Sequence, residues 1–107
     1  MVQMSPVVAS LALDACSADR GVFVLTIEVG LPYRTSDHHD EWVCPVALRP
    51  LRVLDAHGGD PFQALCLAIS LVLNELQGFR DNGMSLLMGG DDFPIDAYWF
   101  WSARPTA

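Results

Sequence analysis

Hydrophobic and polar positions alternate with a period of two through the first half of the chain, and the period lengthens to that of a helix in the second. Residues 7–15 are apolar with weak alternation, and the ACSADRG stretch that follows has the small polar residues and glycine of a turn. GVFVLTIEVGLPY then places Phe23, Leu25, Ile27 and Val29 on one face and Val22, Val24, Thr26 and Glu28 on the other, which is the clearest strand pattern in the sequence. A further strand runs through WVCPVAL, with Trp42, Cys44, Val46 and Leu48 on one side. Pro45 points to an edge position or a bulge, because proline has no N–H for a central ladder. LRVLDA, after Pro50, makes a fourth strand or extends the third.

From Asp60 onward the pattern is helical. Asp60 stands at the N-cap, Pro61 at the first helical position, and Gln63 three residues past the cap, where its side chain can reach back to the cap amide. Asn82-Gly83 marks the far end, so the helix is predicted over about residues 61–80, roughly 30 Å long. At 100° per residue, Gln63, Ser70, Asn74, Gln77 and Asp81 form a narrow polar line, and Leu65, Ala68, Ile69, Val72, Leu76 and Phe79 form the broad opposite side. Cys66, Leu67, Leu71 and Leu73 flank the polar line. Apolar surface therefore covers more of the circumference than one sheet face can hide, and large apolar patches on soluble monomers mark contact sites. Two covers are open: the C-terminal segment folding back, or a second protomer. The interaction surface expected here comprises Cys66, Leu67, Ser70, Leu71, Leu73 and Asn74, together with Trp99 and Trp101 from the aromatic run at residues 98–101. The plain alternative for that run docks Tyr98 and Phe100 inward and leaves the tryptophans at a rim. Residues 85–88 read as a short late strand and GGDDFP as a turn.

These patterns predict an α+β domain over residues 1–107, with an antiparallel sheet of about 4–5 strands and one long helix packed across it. Composition narrows the partners. Thirteen acidic residues face six arginines and no lysine, for a net charge of -7, so no basic stripe for a nucleic-acid backbone or an anionic membrane can be drawn. Arginine without lysine is what a GC-rich bacterial genome would encode. The three cysteines, Cys16, Cys44 and Cys66, are well spread, with no CxxC pair, and read as buried free thiols of a reducing compartment. PVVASLALDAC imitates a lipoprotein signal segment, but the first cation is Arg20 and Asp14 falls inside the supposed cleavage motif. With no uninterrupted apolar run of about 18 residues either, a cytoplasmic location is expected.

TSDHHDEWVCP, residues 35–45, is the densest run of candidate ligands. A metal would need three or four of these donors to converge. His38 and His39 are adjacent and point to opposite faces of an extended chain, so His39 aligns with Glu41 and His38 with Asp40. The stretch joins two strands and reads as a solvated hairpin loop, with His38, His39 and Glu41 the candidate ligands were a metal to bind there. Neither a nucleophile elbow, a zinc-helix motif nor a phosphate-binding loop occurs, and Asp91, Asp92 and Asp96 sit by turn glycines where carboxylates are solvated. Cys44 and Cys66 lie in apolar runs, without the electropositive setting a thiolate nucleophile needs.

WVCP, then GGDPFQALCLA, then GGDDFP, resembles a family of small bacterial proteins of unknown function that pairs a Trp-x-Cys-Pro strand with a Gly-x-Asp-x-x-Gln-Ala-Leu-x-Leu-Ala helix. The matching positions are Trp42, Cys44, Pro45, Gly58 or Gly59, Asp60, Gln63, Ala64, Leu65, Leu67 and Ala68. The resemblance implies an antiparallel sheet with one long helix, toxin-immunity or regulatory settings, and no established catalysis. Each matching residue also has a structural use as cap, capping-box partner or small packing position. The expected function is that of a non-catalytic interaction module without a cofactor, acting through a homodimer or a partner protein. A small-molecule binder or cryptic enzyme, with a pocket lined by Trp42, Trp99 and Trp101, is the alternative.

Overall fold

A computed structural model describes residues 6–35 and 41–98 of the chain. Strands β1 (Val7–Ser17), β2 (Gly21–Gly30), β3 (Tyr33–Arg34), β4 (Trp42–Arg49) and β5 (Arg52–Gly58) precede helix α1 (Pro61–Asp81). Strands β6 (Ser85–Met88) and β7 (Asp91–Asp92) and a 3-10 turn (Ile95–Tyr98) follow it. All strand pairs are antiparallel, in the order β3-β4-β2-β1-β6-β7, with β5 on the remaining edge of β4. The α+β class is as expected, but among the described residues the sheet has seven strands, more than the four or five read from the sequence.

The additional strands are two-residue ladders that exist only through their partners. Beyond Gly30 the β2 chain bends through Leu31 and Pro32 and resumes as β3, so β2 and β3 together line one edge of β4. Ladder partners on that edge run from Val46 to Arg49 and restart at Trp42 and Val43, which leaves Cys44 and Pro45 opposite the bend. That gap explains how a proline sits in a strand paired on both sides, where an edge position or a bulge was expected: its missing N–H falls where the neighbour has turned away. The Cys44 thiol uses the same gap, donating to the Gly30 carbonyl at 3.1 Å. At the other end, Gly89 and Gly90 adopt φ of 60° and 91°, as a type I′ hairpin requires, and bring Asp91 and Asp92 into pairing with Met88 and Leu87.

The helix begins where local chemistry dictates. The Gln63 N–H donates to Asp60 Oδ1 at 2.8 Å, and the Gln63 side chain accepts from the Gly59 N–H at 2.6 Å, one residue before the cap amide expected for a capping box. It ends with Gly83 at φ 99°, whose N–H donates to the Arg80 carbonyl, while the Met84 N–H donates to the Phe79 carbonyl. Ala64, Ala68, Val72, Leu73 and Leu76 form its buried face, set mainly over β4 and β5. Residues this small let the helix come close: a Cβ on Gly58 would lie 2.6 Å from the Ala64 nitrogen. By length and composition alone the helix could cross a membrane; here its alanine face is packed on the sheet.

Leu13, Leu25, Ile27, Val46, Leu48 and Leu86 complete the core from the sheet, and Phe93 and Ile95 close it from the C-terminal segment. The Arg80 guanidinium holds that segment by donating to the Phe93 carbonyl at 2.7 Å, and the Tyr98 ring lies 5.0 Å from that of Phe93. Tyr98 itself stays exposed, so Phe93 takes the inward aromatic position expected of it. β1 is closed only in part. β6 pairs with Asp14 to Cys16, and residues 7–13 have no strand on that edge among the described residues.

Candidate functional site

Among the described residues β5 is an edge strand, hydrogen-bonded to β4 alone. The helix runs beside it. Asp55, Ala56 and His57 of β5 and Leu67, Ser70, Leu71 and Asn74 of α1 line a shallow groove between the two. Four residues of the predicted interaction surface therefore share one flank, because positions three and four apart on a helix stack into a stripe. Leu67 is 44% exposed and supplies the apolar wall. Cys66 is half-buried and does not line the groove. Leu73 corrects the expectation: only 3% exposed, it belongs to the core cluster with Phe93 and Ile95, so the C-terminal turn covers this part of the helix. Trp99 and Trp101 lie outside the described residues, as do His38 and His39.

Charge is arranged around the groove in pairs. Arg52 reaches Glu75 of the helix at 2.7 Å, and His57 Nδ1 lies 2.8 Å from Glu41 Oε1. Asp55 is the one carboxylate among the residues that line the groove. Glu41, read from the sequence as a metal candidate, is thus a partner of His57. Sequence reasoning missed this pair because it depends on the register that sets Val43 beside His57 and Trp42 beside Gly58. Among the described residues no three His, Cys, Asp or Glu side chains converge as a metal site would require.

Burial, reinforced by the carboxylate of Asp55, pushes the Cys44 thiol above its ordinary value of 9.0, and with its proton held on the Gly30 carbonyl it is no nucleophile. The three cysteines are free, but only Cys44 is buried: Cys16 is exposed, contrary to the sequence reading, since it occupies the solvent face of β1. Trp42 is half-buried and packed against the core. Asp91 and Asp92 are exposed on the β6–β7 hairpin. The β5 flank sets a strand edge that has no ladder partner among the described residues beside a leucine-lined helix. No protein-family model, no curated protein and no solved structure matches this chain.

Proposed function

We propose that this chain is a non-catalytic protein-interaction module that takes an extended segment of a partner protein into the groove between β5 and α1. The observation that carries this reading is the alignment of a free strand edge with a helix flank bearing exposed Leu67 and half-exposed Leu71. Backbone hydrogen bonds to the β5 edge supply affinity, and alternate side chains of the segment meet the leucines. Asp55 in the groove wall and the net charge of -7 favour a segment carrying lysine or arginine, and the same acidic balance argues against nucleic acid and anionic membrane as partners. A cytoplasmic, antitoxin- or immunity-like or regulatory role fits such a module and rests on the motif resemblance carried by Trp42, Cys44, Pro45 and the Asp60 helix start.

The test is selection of a displayed library of random linear peptides on the immobilised protein, with counter-selection on Leu67→Asp. Enriched peptides should alternate apolar and basic positions, lose binding to Leu67→Asp, and shift amide resonances within residues 52–58 and 67–74. Failure to enrich any peptide, or shifts confined to other elements, rejects the groove. Thermal stabilisation by a metabolite in the absence of peptide binding would instead favour the small-molecule reading with Trp42 in its pocket.

A further inference from the structure

We infer that the free edge of β1 is a homodimer interface, at which a second copy of the chain pairs antiparallel with residues 9–13 and joins the two sheets into one. β6 closes β1 only at Asp14 to Cys16, and the register of β1 against β2 breaks between Val7 and Ala9, so residues 9–13 form the regular open edge among the described residues. Ala9, Ser10 and Ala12 are exposed, and Val7 and Val8 just before them are 46% and 48% exposed. An apolar edge strand left open in this way is a template for another strand.

Two observations identify the occupant as a second copy. The first is charge. Two copies of a chain of net charge -7 repel, and like charges placed opposite one another in a ladder are destabilising. Residues 6–13 carry no charge at all, so self-pairing there meets no opposing charge. β5 is the contrasting case: self-pairing across its middle would set Asp55 against Asp55, which suits that edge to a different, basic partner.

The second is symmetry. Antiparallel strands related by a two-fold axis share a sheet only if the axis is perpendicular to it, which keeps each face with its own kind and passes the axis through a residue position. The open stretch is centred on Leu11, so Leu11 meets Leu11, Ala9 meets Leu13, and Ser10 meets Ala12 twice on the solvent face. The partner strand then reaches β6 at the very point, Val8, where its own register breaks. Both helices lie on one side of the joined sheet. On each, Phe62 and Ile69, 76% and 37% exposed, occupy the flank opposite Leu67 and Asn74 and so look towards β1.

Sedimentation of the wild-type chain over a concentration series should show a monomer–dimer equilibrium. Ser10→Lys with Ala12→Lys puts like charges at both solvent-face pairs and should abolish the dimer, while Ser10→Lys with Ala12→Glu places opposite charges at the same pairs and should restore it. Circular dichroism of both variants establishes that each is folded, and the charge-swapped variant carries the test should the double lysine fail to fold. A wild-type chain that stays monomeric throughout overturns the inference, as does a dimer that neither substitution pair alters. Either outcome leaves the β5 groove untouched, because the peptide experiment reads a different edge.

Discussion

Gly58→Ala is the substitution with the largest consequence for its size. The added Cβ would stand 2.6 Å from the Ala64 nitrogen, 3.0 Å from the Ala64 Cα and 3.1 Å from the Gln63 carbonyl carbon, all backbone atoms of the first helical turn. None can swing aside as a side chain would. The helix must lift or slide from the end of β5, opening the contact that Ala64 and Ala68 make with the sheet. Gly59→Ala is the matched control, since its Cβ meets only the Gln63 side-chain oxygen at 3.5 Å, an ordinary contact. Both substitutions gain about 0.4–1 kcal/mol by restricting the unfolded chain, and this gain cancels between them. The difference isolates the steric term, about 1–3 kcal/mol for forced overpacking. At roughly 4–8 °C per kcal/mol for a domain of this size, thermal melts should separate the variants plainly, with Gly58→Ala the lower. Equal melting temperatures, or a less stable Gly59→Ala, would refute the claim that close backbone approach seats the helix.

Asp60→Ala removes the acceptor for the Gln63 N–H and should cost about 0.5–2 kcal/mol in urea denaturation; Asp60→Asn should retain most of it. Cys44 makes stability depend on alkaline pH. Its thiol is raised in the folded state, so the contribution is fully present below 9.0, the ordinary thiol value, and is lost as pH rises beyond it. Urea midpoints measured across that range should fall more steeply for wild type than for Cys44→Ser, whose hydroxyl keeps a donor for the Gly30 carbonyl. In the native protein a thiol reagent should modify Cys16 quickly and Cys44 only on unfolding.

The features legible in the sequence were local ones. Asp60, Pro61 and Gln63 specify a helix start through contacts within a single turn, and the alternation of Phe23 to Val29 specifies a strand whatever lies beside it. What needed the third dimension was lost. β3 and β7 are strands only because β4 and β6 are there to pair with them. Ile69 and Leu73 changed roles because the cover over the helix is patchy: the C-terminal turn brings Phe93 and Ile95 to the core cluster that holds Leu73, and Ile69 one turn earlier is left open. Phe93 was hidden within a run that looked like an ordinary turn, and Ile95 lay just beyond it. Of the interaction surface, the stripe Leu67, Ser70, Leu71 and Asn74 was visible from helical spacing, whereas Asp55 and His57 across from it required the β4–β5 pairing.

The partial closure of β1 also bears on the order in which the molecule is made. β1 is synthesised well before its edge partner: Cys16 pairs with Ser85, about 70 residues later. At ~5–20 residues per second, about 3–14 s separate the emergence of the two. Throughout that interval the β1–β2 hairpin leaves the ribosome with its whole outer edge bare, uncapped even at residues 14–16. Neighbouring nascent chains on one message would meet through the same uncharged strand, so chaperone dependence during translation should track how quickly the C-terminal third follows.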